Sequence, residues 1–284
     1  MDDTWRSSIR TLSMVFGMVL AALLVGAGPE GTSPVGPLLF SDVTVALLSL
    51  LAISVAVVVA MIAFRFGDPG GGLFAFGIVV WAAGRHLAPS IDRFFAPTSG
   101  GVLLDGVFLS IALFGVVRVM ERFTGEACQP QPPDQGVSDR LSLGWLAMVV
   151  ALPVAHLTVV TNDPGQSAGG AALGGLAAGF LARLVAPHAP PFRLLLALVP
   201  IGVLGRILFA SELVDPETSR LALIPLFVGP ESWRLGGGPG LLGPLPVDWA
   251  GAGVAGFALG CSWARSFLKP IPDAQNVASN ALSG

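Results

Sequence analysis

Ser167 and His156 are the residues of this sequence whose side chains could carry nucleophilic chemistry. Ser167 opens a glycine-rich apolar segment, and His156 lies 11 residues earlier, near the end of the preceding apolar segment. A serine hydroxyl attacks a carbonyl well only when a neighbouring base takes its proton, and histidine is the commonest base. Both residues also have structural interpretations. Ser167 can hydrogen-bond a backbone N–H at a helix start, and His156 can bond a carbonyl freed by Pro153.

A second group of polar residues lies at the ends of apolar segments. Arg206 stands inside one such segment, and Asp105, Asp163 and Asp248 each lie near the start of another. A charge at membrane depth is costly unless it is paired or reaches the interface. We therefore expect Arg206 either to extend to the interface or to pair with one of these carboxylates. The pairing would form a polar outer cluster.

The composition decides which elements can position these groups. Of the 284 residues, 53 % are hydrophobic and only 12 % are charged, and the mean hydropathy is +0.77. Soluble domains carry about 25 % charged residues, so a soluble enzyme, a nucleic-acid binder and a disordered chain are excluded. Cys128 and Cys261 lie in a polar linker and an apolar segment, so no disulfide is expected. Nothing in the sequence predicts a metal or a cofactor.

Eight apolar stretches are close to the length of about 20 residues that crosses a bilayer. They predict an all-α polytopic membrane protein, and the first is interpreted as a retained helix. The stretches are Leu12–Gly28, Val43–Phe64, Gly72–Leu87, Val102–Met120, Leu143–Val160, Ala168–Ala186, Phe192–Ser211 and Trp249–Phe267.

The distribution of basic residues predicts the orientation, because Lys and Arg favour cytoplasmic loops. With the amino terminus inside, the 15 basic residues divide 10 on the cytoplasmic side and 5 outside. We therefore predict a multi-pass protein of the cytoplasmic (inner) membrane with both termini cytoplasmic. The long connection Glu212–Val247 is then external.

Three motifs resemble those of the rhomboid family of intramembrane serine proteases. The fourth stretch closes with the run Glu121–Gly125, which is similar to the end of the family's second core helix. The sixth opens around Ser167 and carries Gly175 eight residues later, like the family's nucleophile helix. The eighth holds Gly256 and Gly260, spaced like the glycines that follow the family's histidine.

This resemblance implies a rhomboid-like six-helix bundle plus two extra N-terminal transmembrane helices. The two extra helices fall in residues 1–70, the core in residues 71–268, and a disordered tail in residues 269–284. Glycines such as Gly174 and Gly175 are expected at close helix contacts, together with the pair in the eighth stretch, because small residues let membrane helices approach closely.

The resemblance implies an incomplete catalytic site. It places the nucleophile at Ser167, but its histidine position falls on Gly253, which has no side chain. The positions that hold the oxyanion fall on Asp105 and Leu109. A carboxylate there repels the negative charge that it should stabilise. Proteolysis by the family mechanism is therefore not expected.

Three functions follow as hypotheses. The first is a non-proteolytic pseudoprotease that binds transmembrane segments of client proteins within the lipid bilayer, with no role for nucleic acid. The second is an active intramembrane serine protease in which Ser167 uses a non-standard base such as His156. The third is a transporter or a structural subunit of a membrane complex. The sequence does not decide the oligomeric state.

Overall fold

All regular structure is helical in the part of the chain that the structure, a computed structural model, describes: residues 3–26, 43–66, 69–84, 100–124, 137–159, 164–187, 189–211 and 243–268. The all-α prediction is therefore confirmed. The helices are α1 (Asp3–Gly26), α2 (Val43–Arg65), α3 (Pro69–Gly84), α4 (Gly100–Thr124), α5 (Val137–Ala147), α6 (Ala151–Thr158), α7 (Pro164–Val185), α8 (Pro191–Leu195), α9 (Leu198–Ser211), α10 (Pro246–Asp248) and α11 (Val254–Arg265). A π-helical segment, Trp249–Gly253, joins α10 to α11, so that residues 246–265 form one continuous last helix.

Several of these helices suit a membrane. Five described segments are long and apolar enough to cross one, and a shorter apolar helix covers Gly70–Gly84. Every one of the eight apolar stretches predicted from the sequence falls on helical residues, but the stretches Leu143–Val160 and Phe192–Ser211 are each divided between two helices. The protein is therefore embedded in a membrane by several passes. The five segments are Thr4–Leu24, Ala46–Arg65, Leu141–Thr158, Gly165–Val185 and Pro191–Leu208.

Large apolar side chains cover much of the exterior of the bundle. Phe16 on α1 exposes 68 % of its surface and Leu157 on α6 exposes 75 %. In water such surfaces would drive association, but lipid tails are as apolar as leucine, so these side chains lose nothing by facing them. The exposed apolar faces therefore agree with a membrane environment.

The two N-terminal helices pack directly against α3. Gly17 on α1 lies against Val59 of α2 and Val79 of α3, where a Cβ would come within 2.5 Å of the Val59 side chain. The buried apolar residues of α1 and α2, such as Ala21 and Ala56, belong to one continuous core with those of the later helices. Residues 3–65 are thus integrated into the same bundle.

α6 and α7 are antiparallel neighbours. Gly170 lies against Ala155 and Val159, whereas a Cβ at Gly174, one turn further on, would lie 2.7 Å from the carbonyl oxygen of Ala151. Because the numbering falls on α6 as it rises on α7, the two helices run in opposite directions. The end of α6 therefore lies beside the first turns of α7.

α7 and the last helix run parallel. Gly175 on α7 lies against the carbonyl of Gly253, and Gly179 lies one turn further along, against that of Phe257. Helices that alternate across a membrane are parallel when an odd number of crossings separates them. This arrangement agrees with two predicted spans that both enter from the same side.

Pro153 explains an interruption between α5 and α6. A proline inside a helix has no N–H to donate, and its ring clashes with the carbonyl four residues earlier. That carbonyl belongs to Val149, which lies in a 3-10 turn, Met148–Val150. The proline thus separates one membrane-crossing segment into two helices.

Candidate functional site

Glycines bring α7 and the last helix into backbone contact. A Cβ at Gly175 would overlap the carbonyl oxygen of Gly253, and one at Gly256 would overlap that of Ala172. Gly260 meets the carbonyl oxygen of Leu176 in the same way. Backbone atoms cannot move aside as a flexible side chain can, so no larger residue fits at these positions without moving a helix. We refer to this contact surface as the glycine seam.

Gly174 has a different neighbour, the indole of Trp249. A Cβ at Gly174 would lie 3.2 Å from the Trp249 ring, and one at Gly202 on α9 would lie 2.5 Å from it. Gly253 borders the same ring at 3.3 Å. Trp249 is only 1 % exposed. Its indole therefore fills a space that three glycines, on α7, α9 and the last helix, leave open.

The histidine position of the resemblance, Gly253, lies at the end of the π-helical segment. A Cβ there would lie 3.4 Å from the carbonyl oxygen of Ala171 and 3.5 Å from Leu198. Ala171 is one helical turn beyond Ser167 on α7. Position 253 thus faces α7, and its third close neighbour is the Trp249 ring. None of these three neighbours is a side chain that could act as a base.

Ser167 is buried, with 2 % of its surface exposed, and lies near the start of α7. The helix begins at Pro164, a residue favoured at the first helical position. Ser167 is therefore already three residues inside the helix, not at its cap. Within the described ranges, its hydroxyl makes no hydrogen bond to His156.

His156 is partly buried on α6. The residue of α6 that faces α7 is Ala155, whose surface is fully buried and whose carbonyl lies at Gly170. Successive residues on a helix point about 100° apart. His156 is therefore rotated by about 100° from Ala155, the residue that contacts α7.

The oxyanion positions of the resemblance lie on α4. Asp105 is 3 % exposed and Leu109 is 2 % exposed. Gly106, between them, packs against Val203 of α9, where a Cβ would come within 2.7 Å. α4 packs chiefly against α9 and the start of the last helix. Asp105 and Leu109 therefore belong to a buried interface.

Arg206 lies at the junction of α4, α9 and the start of the last helix. It is 1 % exposed, and its Nη1 donates to the carbonyl oxygen of Pro244 at 3.4 Å. The side chain of Arg206 is thus enclosed by protein, and its two expected arrangements, at the interface or paired with a carboxylate, stay predictions. Its position on α9, one turn beyond Val203, directs it into the junction that also buries Asp105.

Asp248 is the second buried carboxylate at this junction. It is 8 % exposed, and its Oδ2 accepts a hydrogen bond from the backbone N–H of Leu245 at 2.8 Å, which caps the last helix. The helix that it starts touches both α4 and α9. Asp105, Arg206 and Asp248 are thus each buried, on helices that pack against one another, and the expected pairing of their charges stays a prediction. Asp163, the remaining member of the predicted cluster, lies outside the described residues.

No protein-family model matches this chain, and neither a curated protein nor a solved structure matches it significantly. The resemblance to rhomboid proteins stays an expectation from the motifs of the sequence. Sequence patterns did not identify Trp249 as a site residue. The one signal in the sequence is a tryptophan at a helix start together with glycines in other spans. This pattern does not predict which of the glycines the tryptophan contacts.

Proposed function

We propose that this is a rhomboid-like membrane protein without protease activity, which binds transmembrane segments of client proteins. The proposal combines the motif order of the sequence with three geometric features. These are a central glycine-rich helix, a parallel final helix in contact with it, and a serine on the first of the two. In this proposal α3 to the last helix correspond to the six-helix core, and α1 and α2 are additions.

The observation that carries the loss of proteolysis is the environment of Gly253. A general base must come within hydrogen-bond reach of the nucleophile. Position 253 offers no side chain, and the indole of Trp249 occupies the neighbouring space at 3.3 Å. A serine without a base is a weak nucleophile. The serine of α7 therefore has a structural role in this proposal.

The outer face of α4 and α9 is the proposed client surface. Val107 and Ile111 on α4 expose 60 % and 62 % of their surfaces, and Leu204 and Leu208 on α9 expose 53 % and 56 %. Both helices border the junction of buried charges around Arg206. A client helix would pack along the aliphatic stripe by van der Waals contact, the main source of helix association in membranes.

The orientation belongs to the same proposal. Arg65, Arg122, Arg183 and Arg265 stand in the last turns of α2, α4, α7 and α11. Cytoplasmic ends of membrane helices are enriched in arginine, and a cation also suits the negative end of the helix dipole. In this proposal these four helices end on the cytoplasmic side of an inner membrane, and both termini of the protein are cytoplasmic.

A fluorophosphonate probe, which labels activated serines, tests the loss of proteolysis. We expect no labelling of the purified protein above that of Ser167→Ala. Ser262→Ala removes an exposed serine at the other end of the bundle and serves as the matched control. If the parent is labelled, if Ser262→Ala keeps the labelling, and if both Ser167→Ala and His156→Ala abolish it, the protein is an active protease and the proposal is refuted.

Site-specific photocrosslinking tests the client surface. A photoreactive residue at Val107 should capture a membrane protein through a peptide that maps to one of its transmembrane segments. The control is the same residue at Val58 of α2, which is also exposed, at 55 %, but lies on a helix outside the proposed core. Equal capture at Val107 and Val58 would mean that the crosslinks arise from random collisions in the lipid, and would refute the proposal that the outer face of α4 and α9 binds clients.

A further inference from the structure

Two arginines stand at the end of the glycine seam. The thiol of Cys261 donates to the carbonyl oxygen of Gly179 at 3.4 Å, so these residues face each other across the seam. One helical turn further along each parallel helix come Arg265 and Arg183. Residues four apart share a helix face. The two guanidinium groups therefore approach the same space from adjacent helices.

The Arg183 guanidinium is held in place by the chain that follows α7. Its Nη1 donates to the carbonyl oxygen of Ala189 at 2.8 Å. Its Nε is buried and makes no hydrogen bond among the residues that the structure describes. Protein groups thus accept hydrogen bonds from only some of the N–H donors of the Arg183 guanidinium, which stands next to a second guanidinium, that of Arg265. An anion between them would lower the energy of both.

A third arginine stands on a helix packed against both α7 and α11, and three aromatic rings lie within three residues of Arg183 or Arg265 in the sequence. Arg193 lies on α8, which packs against both α7 and α11, and its carbonyl accepts a hydrogen bond from the Trp145 indole at 3.1 Å. Phe180, Trp263 and Phe267 form a ring cluster with centroids 5.3–6.3 Å apart. Trp263 and Phe267 expose 55 % and 61 % of their surfaces. Exposed aromatic rings beside arginines mark the depth of lipid headgroups.

We propose that Arg183, Arg193 and Arg265 bind the phosphate of an anionic phospholipid, whose acyl chains lie along the aromatic cluster. Guanidinium groups bind phosphate oxygens through paired, charge-assisted hydrogen bonds. Basic pockets between the ends of membrane helices are suited to phospholipid headgroups. Inorganic phosphate has the same anionic chemistry, but it gives the apolar rings nothing to contact. The adjacent rings therefore favour the lipid.

Native mass spectrometry of the purified full-length protein tests this site with defined lipids. The probes are phosphatidylglycerol, which is anionic, and phosphatidylcholine, which has no net charge. We expect the parent to prefer phosphatidylglycerol, and the Arg183→Gln/Arg265→Gln variant to bind it about tenfold or more weakly, because each arginine near the surface contributes to anionic-lipid binding. The lysine pair, Arg183→Lys/Arg265→Lys, keeps the charge and should recover part of the affinity.

The matched control is Arg65→Gln/Arg122→Gln, which removes two exposed arginines from the last turns of α2 and α4. An equal loss of affinity in the control would show that only total charge matters and would overturn the proposal. Equal affinity of the parent for phosphatidylglycerol and phosphatidylcholine would also overturn it. The same holds if inorganic phosphate displaces bound phosphatidylglycerol at the concentration at which added phosphatidylglycerol itself does so. If the glutamine pair does not fold, Arg265→Gln alone gives the same comparison, because Arg265 is exposed.

Discussion

Replacing Gly175 by alanine should destabilise the bundle strongly although it adds a single methyl group. The new Cβ would overlap the carbonyl oxygen of Gly253 and would lie 2.8 Å from its carbonyl carbon and 3.0 Å from its Cα. Unbonded carbon atoms rest about 3.5–4.0 Å apart, so the two helices would have to separate by roughly 0.5–1 Å. The same movement would loosen the contacts at Gly179, Gly256 and Gly260.

The contacts at Gly175 indicate that the alanine substitution lowers the free energy of unfolding by an amount at the upper end of the range for an added methyl group. Such overpacking costs about 1–3 kcal/mol, and here only backbone atoms are present to give way. A loss of about 3 kcal/mol lowers the melting temperature of a large domain by roughly 6–12 °C. Thermal unfolding in detergent, followed by size-exclusion chromatography after heating, measures this shift.

Gly169→Ala is the matched control on the same helix. No atom lies within 4 Å of a Cβ at that position, so the methyl group meets open space. Its stability should be unchanged or slightly raised, because alanine favours a helix over glycine. If Gly175→Ala and Gly169→Ala melt within about 2 °C of each other, the helices are not in backbone contact and the seam does not exist as described.

Three further predictions use the same protein preparation. Trp249→Ala should cost about 3–5 kcal/mol by emptying the space between α7 and α9, and melting at the temperature of the parent would contradict the buried position of the indole. Arg206→Met should cost about 3–5 kcal/mol because it leaves buried carboxylates without their cation; adding Asp248→Asn should recover part of the loss, and strictly additive losses would show that the two residues do not interact. For topology, a cysteine in the segment 236–240 should react with an impermeant thiol reagent from outside the cell, and reaction only from the cytoplasmic side would reverse the orientation.

The positions of the helices could be predicted from the sequence because hydropathy is a local property. An apolar stretch such as Val43–Phe64 has one stable conformation in a bilayer, the helix that satisfies all its backbone hydrogen bonds. The structure accordingly has a helix there, Val43–Arg65. The small-residue spacing around Gly175 also predicted a close contact, since glycine in a membrane helix leaves room for a neighbour.

The identity of neighbouring helices could not be predicted in the same way. The enclosure of Arg206 involves the chain around Pro244, which is remote from it in sequence. Hydropathy alone favours an arginine near a helix end that extends to water. The space filled by Trp249 likewise needs glycines from two other helices in one place. Both features arise from tertiary packing, and no local pattern encodes them.

The contacts of the last helix have a consequence for biogenesis. This helix is translated after α1 to α9, and it touches glycines on two sides: a Cβ at Gly77 of α3 would come within 2.6 Å of its backbone, and Gly175 of α7 lies against it. Until it inserts, α3 and α7 have a gap between them as wide as a helix. Chains that stop before residue 246 would present this gap to lipid or to the quality-control machinery of the membrane. Closure of this gap is thus a late event, in which the segment 246–265 enters a space that only a helix lined with small residues can fill.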